Sequence, residues 1–72
     1  MTDEKPSQLS VVALLLGIPE QRLARGQEGT VVEQLDNETS LVEFSDEQGR
    51  AYAVVPCRRT ELLTLHYVPE AA

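Results

Sequence analysis

Arg25-Gly26-Gln27-Glu28-Gly29-Thr30-Val31-Val32-Glu33 is the stretch that decides the fold. Two glycines three apart permit a tight bend, left-handed where needed, that other residues resist. Thr30, Val31 and Val32 then follow without a break, three β-branched side chains stiff at χ1 and suited to a pleated surface. The motif therefore reads as a turn feeding a strand over residues 29–35. In that reading Gly29 opens the strand in a backbone conformation that only glycine tolerates.

Downstream, Asp36-Asn37-Glu38 reads as a turn in which Asn37 accepts positive φ. The next apolar run, within residues 40–45, alternates: Val42 and Phe44 share one face, Leu41 and Glu43 the other. Asp46-Glu47-Gln48-Gly49 is a second hairpin turn, with Gly49 near its closing position. A fourth strand over 50–55 is expected to stop at Pro56, which has no amide to give a ladder. Arg58-Arg59-Thr60-Glu61 reads as a single helical or 3-10 turn, and 62–67 as a last short strand.

Upstream, residues 9–16 are one run, apolar but for Ser10. Its shortness and the Val11-Val12 pair favour a strand over a helix, and Gly17 and Pro19 close it. Residues 17–26 read as an irregular connection whose apolar pegs, Ile18 and Leu23, fold back over the end of the core. A short helical turn over 20–24 fits within it.

Together these elements predict an all-β domain, a small five-stranded SH3-like barrel with one short helical or 3-10 turn before the last strand. Curling the sheet on itself lets a short chain enclose a core while leaving few free edges. The barrel spans 9–67, with a flexible tail over 1–8 and a second tail over 68–72. The interior is expected to take Val11, Ala13, Ile18, Leu23, Val31, Val42, Phe44, Val54, Cys57, Leu62 and Leu65.

A chain of 72 residues makes one domain, and at that size only about 60% of the unfolded surface is buried. Twelve acidic residues against six basic ones leave a net charge of −6. That balance argues against a general nucleic-acid binder, whose affinity rests on neutralising phosphates. Acidity keeps a small protein soluble, and it also attracts a basic partner. One cysteine excludes an internal disulfide and fits a reducing cytoplasm. The uncharged run at 11–16 is far short of the ~20 residues of a membrane helix. As a signal-peptide core it follows Asp3, Glu4 and Lys5, a negative flank where a positive one is needed.

No constellation for catalysis stands out. Cys57 has no helper nearby in sequence and reads as a small buried hydrophobe. His66, between Leu65 and Tyr67, reads as half-exposed at the end of the last strand. One His and one Cys fall short of a metal site, which wants about four ligands, so neither metal nor cofactor is expected. Asp36, Glu38, Asp46 and Glu47 sit on hairpin tips, where solvation keeps carboxylates from acid–base work. They serve better as partner contacts, with Tyr52 and Tyr67 as exposed aromatic anchors. Arg22, Arg25, Arg58 and Arg59 are an alternative set, a local patch for nucleic acid if the first long loop and the turn before the last strand lie together. Their plainer reading is scattered surface pairing with the carboxylates.

The order of motifs resembles an uncharacterised family of small bacterial SH3-like-barrel proteins, a domain of unknown function. The residues that carry it are Val11-Val12-Ala13-Leu14-Leu15, Ile18-Pro19 through Leu23, Gly26-x-x-Gly29-Thr30-Val31-Val32-Glu33, Val42-Glu43-Phe44, Asp46-Glu47-x-Gly49-Arg50 and Glu61-Leu62-Leu63. They cover 9–65. Pro56-Cys57 departs from the pattern, which expects an uninterrupted strand end there. The glycine-turn-strand unit alone is also similar to the KOW motif of ribosomal and transcription-elongation proteins and to the barrel of nitrile hydratase β subunits. The family resemblance implies an SH3-like barrel with no established activity, and a gene neighbour whose product some members neutralise as an antitoxin does its toxin.

The sequence thus points to a non-enzymatic, cytoplasmic, acidic protein-interaction module, monomeric or a small homo-oligomer. Its expected partner is a basic protein encoded nearby. The alternative is a KOW-like RNA- or ribosome-associated module using the arginines.

Overall fold

The computed structural model describes residues 9–65. Five strands, β1 (Val11–Leu14), β2 (Glu28–Gln34), β3 (Thr39–Ser45), β4 (Ala51–Arg58) and β5 (Leu62–Thr64), form one antiparallel sheet in the order β4-β3-β2-β1-β5. Two 3-10 turns accompany them, Pro19–Gln21 in the β1–β2 connection and Arg59–Glu61 between β4 and β5. This is the predicted five-stranded all-β architecture, with its 3-10 turn before the last strand. With no second layer among the described residues, the sheet must curl so that its strands cover one another's inner face. Val12, Val31, Val42 and Phe44 are fully buried, and Leu14, Leu23, Cys57 and Leu62 nearly so.

The inner face is built in rows across the strands. Val12 pairs with Gly29, Gly29 with Phe44, and Phe44 with Ala53. Gly29 is the gap in this row. A Cβ there would lie 2.6 Å from Val42 Cγ1 and 2.8 Å from the Phe44 ring, so the ring occupies the space a side chain would need. The expectation that Gly29 is required by its backbone conformation is corrected: its φ is not positive, and the constraint is steric. Gly26 and Gly49 supply the left-handed positions, at φ 85° and 81°. Asn37 does not; the non-glycine residues at positive φ among those described are Leu9 and Arg22.

The face of two strands also needs correction. In β1, Val12 and Leu14 point inward, and the expected Val11 and Ala13 are only part-buried. In β4, Val54 is half-exposed while Ala53 and Val55 pack on the core. The cause is Pro56. It does not end β4, which runs on to Arg58, so parity holds from Cys57 back to Val55 and Ala53. An outer strand tolerates proline where the missing N–H faces away from the neighbour. The Arg59 amide donates to the Glu38 carbonyl at 2.8 Å, which makes Thr39↔Arg58 a non-hydrogen-bonded pair. By alternation Ser40↔Cys57 is bonded, Leu41↔Pro56 is not, and Val42↔Val55 is. Pro56 therefore removes no bond to β3, and its departure from the family pattern leaves the pairing intact.

The pegs behave as expected: Leu23 joins the core, and Ile18 bridges to it and packs against the cluster. Among the described residues Ser40 is the buried polar one, and its Oγ donates to Gln34 Oε1 at 2.8 Å. Leu65 is part-buried. His66, Tyr67 and the two tails lie outside the described residues.

Candidate functional site

An open groove of about 860 Å³ crosses the outer face of the sheet at one end. Its floor is the cross-strand row Val11, Thr30 and Glu43, one residue from each of β1, β2 and β3. The β1–β2 connection adds Arg22 and Gln27, and the start of β2 adds Glu28. From the other side come Ser45, Asp46 and Glu47 of the β3–β4 hairpin, and Tyr52. Among the described residues four carboxylates thus face a groove that holds one guanidinium.

Local sequence places each of these groups. Asp46 builds its hairpin: its Oδ1 accepts from the Gln48 and Arg50 amides, both at 2.9 Å, while its own amide donates to the Arg50 carbonyl at 2.8 Å. Gly49 donates to the Asp46 carbonyl at 3.0 Å and takes the left-handed position that closes such a loop. Glu47 then projects from an ordered tip. Tyr52 is the extra residue of a bulge, since Phe44 pairs with Ala53 but Ser45 with Ala51. Bulges re-aim side chains, and Tyr52 remains 39% exposed. Arg22 sits in the left-handed region at φ 58°, with its amide on the Pro19 carbonyl at 2.9 Å.

The opposite end of β3 has a second, smaller cleft lined by Asp36, Asn37, Glu38, Thr39 and Arg58. Asp36 Oδ1 accepts from the Glu38 amide at 2.8 Å. That bond, bonds from the Thr39 hydroxyl and amide, and the nearby Arg58 guanidinium hold the Asp36 carboxyl below its ordinary range. Seven residues of β3 separate the two ends, roughly 20 Å at about 3.3 Å per residue.

The expected contact residues are therefore divided. Tyr52, Asp46 and Glu47 come together in the groove, whereas Asp36 and Glu38 lie at the far end with Arg58. Of the arginines, Arg22 lines the acidic groove and Arg58 the far cleft, while Arg25 lies in the turn before β2 and Arg59 opens the second 3-10 turn. Glu28 and Glu43 are groove residues that sequence reasoning did not single out. Period-two alternation puts Glu43 on the outer face, but only the β2–β3 register brings Thr30 beside it and so closes the row.

Cys57 is 1% exposed, and its Sγ donates to the Val55 carbonyl at 3.6 Å. Burial, helped by the Glu61 charge, pushes its thiol up to about 11. Such a thiol is a packing group, not a nucleophile. Among the described residues no three His, Cys, Asp or Glu gather as metal ligands, and no helix is long and apolar enough to cross a membrane.

Fold and groove define a small all-β domain with an acidic, solvent-open outer face. The chain belongs to the family described as Domain of unknown function (DUF4926), whose model matches residues 8–64. No curated protein and no solved structure matches it.

Proposed function

We propose that the domain is a non-enzymatic interaction module that receives a basic protein in its acidic groove. The observation that carries this reading is the convergence of Glu28, Glu43, Asp46 and Glu47 beside exposed Tyr52, with Arg22 as the one cation among the described residues of the groove. Complementary charge speeds and orients docking, and an aromatic at the groove's edge offers a face for an arginine or lysine side chain. The SH3-like family resemblance gives the more specific form: a cytoplasmic neutralising partner for a basic, toxin-like protein encoded nearby. The separated placement of Arg22 and Arg58 gives the KOW-like reading no comparable support.

The test is fluorescence anisotropy with two labelled probes, an arginine- and lysine-rich peptide and a single-stranded oligoribonucleotide, at about 0.15 M salt and below. The peptide is expected to bind, more tightly as salt falls, and the oligonucleotide not to bind. Oligonucleotide binding that persists at about 0.15 M salt and is lost in Arg58→Ala/Arg59→Ala overturns the reading.

A further inference from the structure

We infer that Pro56 and Glu61 close the outer edge of β4 against strand addition, so that the chain does not extend its sheet with a second copy. Among the described residues β4 ends the sheet on one side and is its longest strand, at eight residues. A long edge with apolar side chains is a template for pairing with another chain, and here Tyr52 and Val54 are both exposed.

The phase of the β3–β4 ladder identifies which groups face that edge. Ser40↔Cys57 and Val42↔Val55 exchange bonds within the sheet, so the backbone at 54, 56 and 58 points away from it. Of these three positions, 56 is proline and offers no donor. At 58 the amide is already taken: it donates to Glu61 Oε1 at 2.7 Å. Val54 is left as the outward donor in this stretch, so an incoming strand meets the outward carbonyls but one donor where an unguarded edge offers three. The bulge at Tyr52 breaks the edge again just beyond it. The two guards lie on different elements. Pro56 acts by lacking an N–H, Glu61 by folding back from the 3-10 turn onto its own strand end.

The experiment is sedimentation of the full chain and of Pro56→Thr, Glu61→Ala, Glu61→Gln and the Pro56→Thr/Glu61→Ala double variant at matched concentrations, with amide exchange followed by NMR. The double variant is expected to associate into dimers or larger species at concentrations where the unaltered chain associates less. Pro56→Thr alone should do so partially. Glu61→Gln, which keeps an acceptor for the Arg58 amide, should match the unaltered chain. In the unaltered chain the Val54 amide should exchange rapidly while those of Val55 and Cys57 are protected, and Pro56→Thr and Glu61→Ala taken singly carry the test if the double variant fails to fold. A folded double variant that sediments like the unaltered chain overturns the inference. So does a Val54 amide as protected as its neighbours.

Discussion

The two ends of β3 carry similar residues to different effect. At the 36–39 end, Asp36 is used up locally: it takes the Glu38 amide, and Arg58 stands beside it, which leaves Glu38 as the one glutamate facing that cleft among the described residues. At the 45–47 end, Asp46 is similarly spent on its own hairpin, yet Glu28, Glu43 and Glu47 remain around a groove where Arg22 is the one cation among the described residues. An Asp two residues before an amide it can cap is a turn-maker. The glutamates, longer and without such a bond, are the charges left to meet a partner. Position relative to the turn thus separates structural carboxylates from those available for binding, where composition alone counts them together.

The largest difference between the ends should appear in binding. Glu28→Gln/Glu43→Gln/Glu47→Gln is expected to weaken the basic peptide roughly tenfold, mostly through slower association. Asp36→Asn/Glu38→Gln should change it by less than about twofold. Asp46 is left intact in this comparison, because its carboxylate accepts two amides, from Gln48 and Arg50, in the hairpin that carries Glu47. Equal effects of the two sets, measured by surface plasmon resonance, would dissolve the distinction. Tyr52→Ala comes next, with an expected loss of about 1 kcal/mol in binding and an unchanged thermal midpoint, since the ring is exposed.

Stability sharpens the comparison from the core side. Gly29→Ala should cost about 1–3 kcal/mol, because the new methyl meets Val42 and the Phe44 ring. Gln27→Ala, two residues earlier, should cost little. Urea denaturation followed by circular dichroism measures both. Smaller still is the pH dependence. Asp36 is held below its ordinary 3.8, so its contribution to stability is present above that value and lost as pH falls through the lower folded one. Asp36→Asn should flatten the acid limb of the stability curve. At the alkaline side the raised Cys57 thiol acts in reverse: its contribution is intact below 9.0 and lost as pH rises toward about 11. Cys57→Ala should remove that slope.

Much of the fold was legible because it is written locally. The Gly26–Glu33 motif, the Asp46–Gly49 hairpin and the alternation of Val42 and Phe44 each carry their structure within a few residues. The facing of β1 was not, since residues 11–16 are apolar throughout and nothing in them favours one parity. In β4, reading Pro56 as a stop hid a continuous strand, and that one error turned Val54 inward. Gly29 was recognised as special for the wrong reason, because its neighbour across the sheet, Phe44, is fifteen positions away. The groove was half legible. Tyr52, Asp46 and Glu47 lie close in sequence, but Glu28 and Glu43 join them only through the register of three strands.

Chemical-shift mapping on isotope-labelled protein, titrated with the arginine- and lysine-rich peptide, tests the difference between the two ends most directly. The amides of Thr30, Glu43, Glu47 and Tyr52 should shift together and saturate together, while those of Asp36, Glu38, Thr39 and Arg58 stay in place. Shifts centred on the 36–39 turn and Arg58, or spread evenly over every exposed carboxylate, would contradict it.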